Sequence, residues 1–103
     1  MPDWPRQYHP ARSDGADYVV DESVVVEGYQ LQPGTWDDLT TWCAGVRVLD
    51  ADGAQAVAVN HSLADPDIAR LGDFVMRTPG RWTVSRADGH YQRWAEVGTA
   101  RRD

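Results

Sequence analysis

The chain contains no lysine: all ten of its basic residues are arginine. A phosphate-gripping, glycine-rich loop closed by lysine is thereby excluded. With its many Ala, Gly, Val and Asp residues, the arginine bias reads as coding preference in a GC-rich genome. There is a single cysteine, Cys43, so no internal disulfide can form and a disulfide-built mini-domain is ruled out. A zinc site would have to draw on three scattered histidines and on acids, so a structural metal is a poor expectation, and no cofactor is expected. No run of about 18 apolar residues exists, so no transmembrane helix is expected. The opening Met-Pro-Asp-Trp-Pro-Arg-Gln has neither a basic start nor an apolar core. No secretory signal is therefore read, and a cytoplasmic location is expected. Packing alone must hold the fold.

What is present suits one small domain. A chain of 103 residues cannot be split into pieces that each bury a core. The charge is unevenly spread within the net −6: three arginines face twelve acids up to residue 69, and seven face four acids beyond it. An acidic chain is a poor general binder of nucleic acid, because phosphate repels it. The basic, aromatic C-terminal end could still hold one small anion or one acidic partner.

Residues 1–17 carry Pro2, Pro5 and Pro10 and the stretch Ser13-Asp14-Gly15-Ala16-Asp17, which reads as an extended arm. Trp4 and Tyr8 are costly to leave in water. They either fold back on the domain or dock the arm on a partner. Residues 18–31 are rich in β-branched and aromatic types and read as a strand, with Val25, Glu27, Tyr29 and Leu31 on one face and Val24, Val26, Gly28 and Gln30 on the other. Pro33-Gly34 turns the chain into a helix with Thr35 as N-cap and Asp37 and Asp38 in its first turn. Trp36, Leu39 and Cys43 form its apolar stripe, Trp42 lies at the stripe's edge, and Gly45 is the expected stop. Residues 46–59 read as a hairpin turning at Asp52-Gly53. Residues 60–71 look irregular, with one helical turn after Pro66 capped by Asp65 and anchored by Leu63, Ile68 and Leu71. A meander then runs through 74–77, 81–85 and 90–97, punctuated at Pro79-Gly80 and Asp88-Gly89.

The expected fold is α+β: a mostly antiparallel sheet of about six strands, able to curl toward a small barrel, with one short helix packed on it. One domain over 18–98 would lie between the arm (1–17) and a frayed tail (99–103). Open sheet edges make a homodimer an option.

Four segments in order carry a resemblance: Val24-Val25-Val26-Glu27-Gly28-Tyr29-Gln30-Leu31, Thr35-Trp36-Asp37-Asp38-Leu39, Trp42-Cys43-Ala44-Gly45 and Gly72-Asp73-Phe74-Val75-Met76-Arg77. Over roughly residues 24–97 the chain resembles small phage and prophage proteins. Those begin with a strand like PVVVEAVQW, have a helix ending WCGG, and continue GDWIIRGVKGEFYPCKPDIF…TY. They carry a basic start where this chain has Asp21-Glu22, and a cysteine where it has Thr83-Val84-Ser85. The resemblance implies a phage accessory protein and no particular chemistry.

Catalytic readings meet cheaper structural ones. Cys43 with His61 or His90 is the available nucleophile–base pair, but Cys43 falls on the helix stripe, where a thiol behaves as a small hydrophobe. His61, Asp65 and Asp67 lie close in sequence without zinc or EF-hand spacing, and read as a solvated acidic loop. Asp37 and Asp38 are explained by the helix N-terminus. The feature with most functional content is Arg77, Arg81, Trp82, Arg86, His90, Tyr91, Arg93 and Trp94, since arginine forks hold phosphate while rings stack on bases. The structural alternative is a core of tryptophans under solvated arginines. The expected function is a non-enzymatic phage or prophage accessory protein that holds a host protein or small anion in the host cytoplasm through this surface. The rival is a small virion component docked through Trp4 and Tyr8. No membrane partner and no general nucleic-acid binding are expected.

Overall fold

Tyr8 is fully buried, folded back on the domain, but the residues around it form a paired strand rather than an extended arm. In the computed structural model, which describes residues 4–60 and 66–97, the chain forms β1 (Arg6–Asp14), β2 (Asp17–Val20), β3 (Val26–Gln30), α1 (Trp36–Trp42), β4 (Val46–Leu49), β5 (Gln55–Val59), β6 (Asp67–Arg70), β7 (Phe74–Thr78), β8 (Arg81–Ser85), α2 (His90–Arg93) and β9 (Trp94–Glu96). The fold is mostly antiparallel α+β, in two open sheets rather than a barrel. The larger runs β2-β1-β3-β7-β8 with β9 joined to β1, and the smaller runs β4-β5-β6. The expected tail 99–103 lies outside the described residues.

β1 organises the larger sheet. Its first half pairs with β3 (Tyr8 opposite Val26), its middle with β9 (Pro10 opposite Trp94) and its last residues with β2 (Ala11 opposite Val20). Pro10 is tolerated where β1 passes from one partner to another, and its carbonyl still accepts the Asp21 amide at 2.8 Å. The expected strand over 18–31 is broken at 21–25. There Asp21 accepts hydrogen bonds from the Ser23 amide and hydroxyl, a local turn that competes with the ladder.

Side-chain alternation divides the core. Tyr29 and its cross-strand partner Val75 lie on one face of the larger sheet, where Trp42 of α1 packs 5.4 Å from Tyr29, centroid to centroid. Phe74 and Met76 lie on the other, with Tyr8 and His90. Gly28 is required between them, because a Cβ there would sit 2.8 Å from the Tyr8 ring and 2.7 Å from the Met76 sulfur. Trp36 fastens α1 to the smaller sheet by donating its indole N–H to the Ala56 carbonyl at 2.8 Å.

The helix forms where the apolar stripe requires, but its ends differ from expectation. Thr35 does not cap with its side chain; its hydroxyl donates to the Gln30 carbonyl and accepts the Gln32 amide, closing the preceding turn instead. At the other end Ala44, not Gly45, takes the left-handed conformation, at φ 51°. The Ala44 and Gly45 amides donate to the Thr41 and Thr40 carbonyls, a Schellman closure. Gly45 is needed for room, since a Cβ would lie 2.9 Å from the Ala58 carbonyl oxygen.

Two further expectations are corrected. The turn of helix after Pro66 is β6, pairing with β5 (Ala58 opposite Ile68), and Leu71 is exposed rather than an anchor. Leu63 and Asp65 lie outside the described residues. The last part of the meander is instead a helical turn, and β9 crosses to pair with β1 rather than β8. Among the described residues no helix is long and apolar enough to cross a membrane.

Candidate functional site

The eight residues from Arg77 to Trp94 do not form one surface. Within β8, Trp82 lies opposite Arg77 and Ser85 opposite Phe74, so positions three apart fall on opposite faces of the sheet. Trp82 joins the row Tyr29–Trp42–Trp82, its ring 5.0 Å from that of Trp42. The Arg77 guanidinium ends the row 5.9 Å from the Trp82 ring. Ser85, His90, Tyr91 and Arg93 gather on the Phe74 side, while Trp94 is half-buried against the core from β9.

The arginines are held by the protein itself. Arg77 pairs with Glu27 directly across the β3–β7 ladder at 3.4 Å, and Arg81 with Asp67 at 3.1 Å. Arg86 donates to the Ile68 carbonyl at 2.7 Å and to Asp73 at 2.8 Å. Asp73 is buried and also accepts the Arg70 and Ala87 amides, both at 2.9 Å. Arg93 donates to the Arg86 carbonyl at 3.2 Å and to the Ser85 hydroxyl at 3.3 Å. Arg77, Arg81 and Arg86 each pair with a carboxylate that a free anion would have to displace, whereas Arg93 is held by neutral oxygens alone.

His90 is the most unusual of the eight. It is 0% exposed, lies flat on Phe74 at 3.5 Å with an interplanar angle of 4°, and has Tyr8 edge-on at 5.1 Å. Nδ1 shares a 2.7 Å hydrogen bond with Ser85 Oγ, and Nε2 has no partner among the described residues. Burial and then the Arg93 charge depress its pKa to about 4, so the ring is neutral at physiological pH. A Ser–His hydrogen bond is half of a nucleophile–base pair, yet Ser85 and His90 are both buried. The pair shapes the core. Burial likewise pushes the Cys43 thiol up. Its sulfur lies 3.8 Å from the Thr40 carbonyl, where it packs as an apolar group. His61 and Asp65 lie outside the described residues, and among the described ones no group of three metal-ligating side chains occurs.

The arm residues are part of the core too. Trp4 stacks on Tyr29 at 5.9 Å, the Arg6 guanidinium lies 4.2 Å over the Trp4 ring, and Tyr8 is closed in by Phe74, His90 and Tyr91. Neither is available to dock elsewhere.

The chain matches no family model, no curated protein and no solved structure. Function must therefore be argued from the surface, and one element of it stands apart. Beyond Ala11, β1 and β2 leave the body of the protein as a two-stranded ribbon turning at Gly15, which has φ 64°. Arg12, Ser13, Asp17, Tyr18 and Val19 are all exposed, so neither face of the ribbon is covered. Tyr18 and Val19 are 50% and 39% exposed, and Tyr91 beside them 53%. The ribbon is tethered by the Tyr18 hydroxyl, which donates to the Tyr91 carbonyl at 2.8 Å. Sequence reading placed 18–20 in a strand but took its partner over 11–14 for part of an arm, because those residues are mostly polar and show no apolar period.

Proposed function

We propose that this chain is a non-enzymatic binding protein whose partner is another protein, engaged through the projecting β1–β2 hairpin. The exposure of both faces of that hairpin carries the reading. Isolated two-stranded ribbons are marginal in water, and this one holds Tyr18 and Val19 in solvent, where a partner surface would cover them. The resemblance to small phage and prophage proteins supplies the setting, an accessory protein acting on a host protein. The internal ion pairs of Arg77, Arg81 and Arg86 favour a protein partner over a small anion. The burial of Trp4 and Tyr8 removes the arm on which a virion role depended.

The test is site-specific photo-crosslinking in cells that express the protein. A photoreactive phenylalanine analogue at Tyr18 should give one adduct of defined mass, and the same analogue at Arg81 none. No adduct from Tyr18, or an adduct from Arg81 alone, overturns the hairpin as the docking element.

A further inference from the structure

The hairpin has one open edge. Asp21 turns its amide toward β1, donating to Pro10, and backbone groups alternate along a strand. Val19 and Asp17 therefore also face β1, whereas Tyr18 and Val20 turn their N–H and C=O groups outward. Among the described residues β2 pairs only with β1, so these four groups have no ladder partner. They offer the hydrogen-bonding pattern of a strand awaiting its neighbour.

The charges around that edge choose the neighbour. Asp17, Asp21 and Glu22 are all exposed, and on the facing strand Arg12 lies opposite Val19, with His9 also near enough to act on Asp21. Asp21 is kept ionised by the Ser23 hydroxyl and amide, which hold its carboxyl below the usual range. A second copy of the chain is disfavoured. The antiparallel register that would use Tyr18 and Val20 of both copies sets Asp17 of one against Asp21 of the other, and like charges directly opposite are destabilising. A basic strand meets no such conflict.

We propose that the outer edge of β2 takes an extended, positively charged segment of the partner protein and adds it to the sheet as a further strand. The outward groups of Tyr18 and Val20 supply the main-chain hydrogen bonds, and Asp17, Asp21 and Glu22 select arginine- or lysine-bearing sequences. This inference rests on the hairpin being the docking element.

The experiment uses the full chain and three fluorescein-labelled peptides of about a dozen residues. One alternates Arg and Val, one is the same peptide N-methylated at every second residue, and one alternates Glu and Val. Anisotropy should show binding of the first alone. The binding should weaken about tenfold on raising salt from 50 to 300 mM, and by a similar factor in the D17N/E22Q variant. Hydrogen exchange should show new protection at the Tyr18 and Val20 amides. Equal binding of the methylated peptide, equal binding by D17N/E22Q, or unchanged exchange at Tyr18 and Val20 overturns strand addition. A Tyr18 photo-adduct obtained alongside such a result leaves the hairpin reading standing, whereas no adduct removes both.

Discussion

Acid should loosen this protein through His90. The imidazole is fully buried and its pKa is depressed to about 4, against 6.5 for a free histidine. Between those values the unfolded chain binds a proton that the folded chain refuses, so stability falls as pH drops below about 6.5, and the loss is complete near pH 4. The full shift corresponds to about 3 kcal/mol, of which about 2 kcal/mol is lost between pH 7 and pH 5. Urea denaturation of the wild type and His90→Phe at both pH values isolates the effect. The phenyl ring can keep the stack on Phe74, and Ser85 keeps its bond from Arg93. The variant has its own offset at pH 7 from the lost Ser85 contact and the larger ring. Whatever that offset, the difference between the two proteins must move by about 2 kcal/mol in favour of the variant at pH 5. The remaining histidines and carboxylates are common to both and largely cancel. If the two proteins lose stability in parallel between pH 7 and 5, the buried neutral imidazole is refuted.

The helix stop gives a paired prediction. Ala44→Gly should stabilise by about 1 kcal/mol, because glycine takes the left-handed conformation without penalty. Gly45→Ala should destabilise by about 2 kcal/mol through its clash with Val57 and Ala58. Both are read as shifts in the urea midpoint. Asn60 closes the outer edge of β8, donating to the Trp82 carbonyl at 2.7 Å and accepting the Trp82 amide at 3.2 Å. Asn60→Gly should cost about 2 kcal/mol for two hydrogen bonds. Asn60→Ala should cost about 1 kcal/mol more, since position 60 has φ 55°; equal losses in thermal unfolding would contradict this. Asp73→Ala strands the Arg70 and Ala87 amides and leaves Arg86 with the Ile68 carbonyl alone, and should cost about 3 kcal/mol by urea titration.

Sequence reading placed α1 and two hairpin turns from local signals, though not the helix caps or β6, and failed most where a strand depends on a distant partner. The stripe of Trp36, Leu39 and Cys43 marks α1, and the glycines at 53 and 80 mark two hairpin turns, because each has its physical cause within a few residues. β1 has no such cause: Pro10 and its polar residues read as an arm, and only pairing with β3, β9 and β2 makes it a strand. The arginine–aromatic cluster misled for the same reason. Nearness in sequence hid the alternation that sends Trp82 and Ser85 to opposite faces, and the partners that neutralise the arginines include Glu27, 50 residues from Arg77. The hairpin was half legible: 18–20 read as strand and its partner at 11–14 as arm. Hydrophobic period reports which face a chain buries in its own core, so an element that buries nothing in that core leaves no period to read. What it does leave is composition: four acids in a dozen residues around Tyr18 and Val19. On an arm those acids would be solvating charge, but beside the open edge of β2 three of them, Asp17, Asp21 and Glu22, would become a selection rule for the neighbour that the edge can accept.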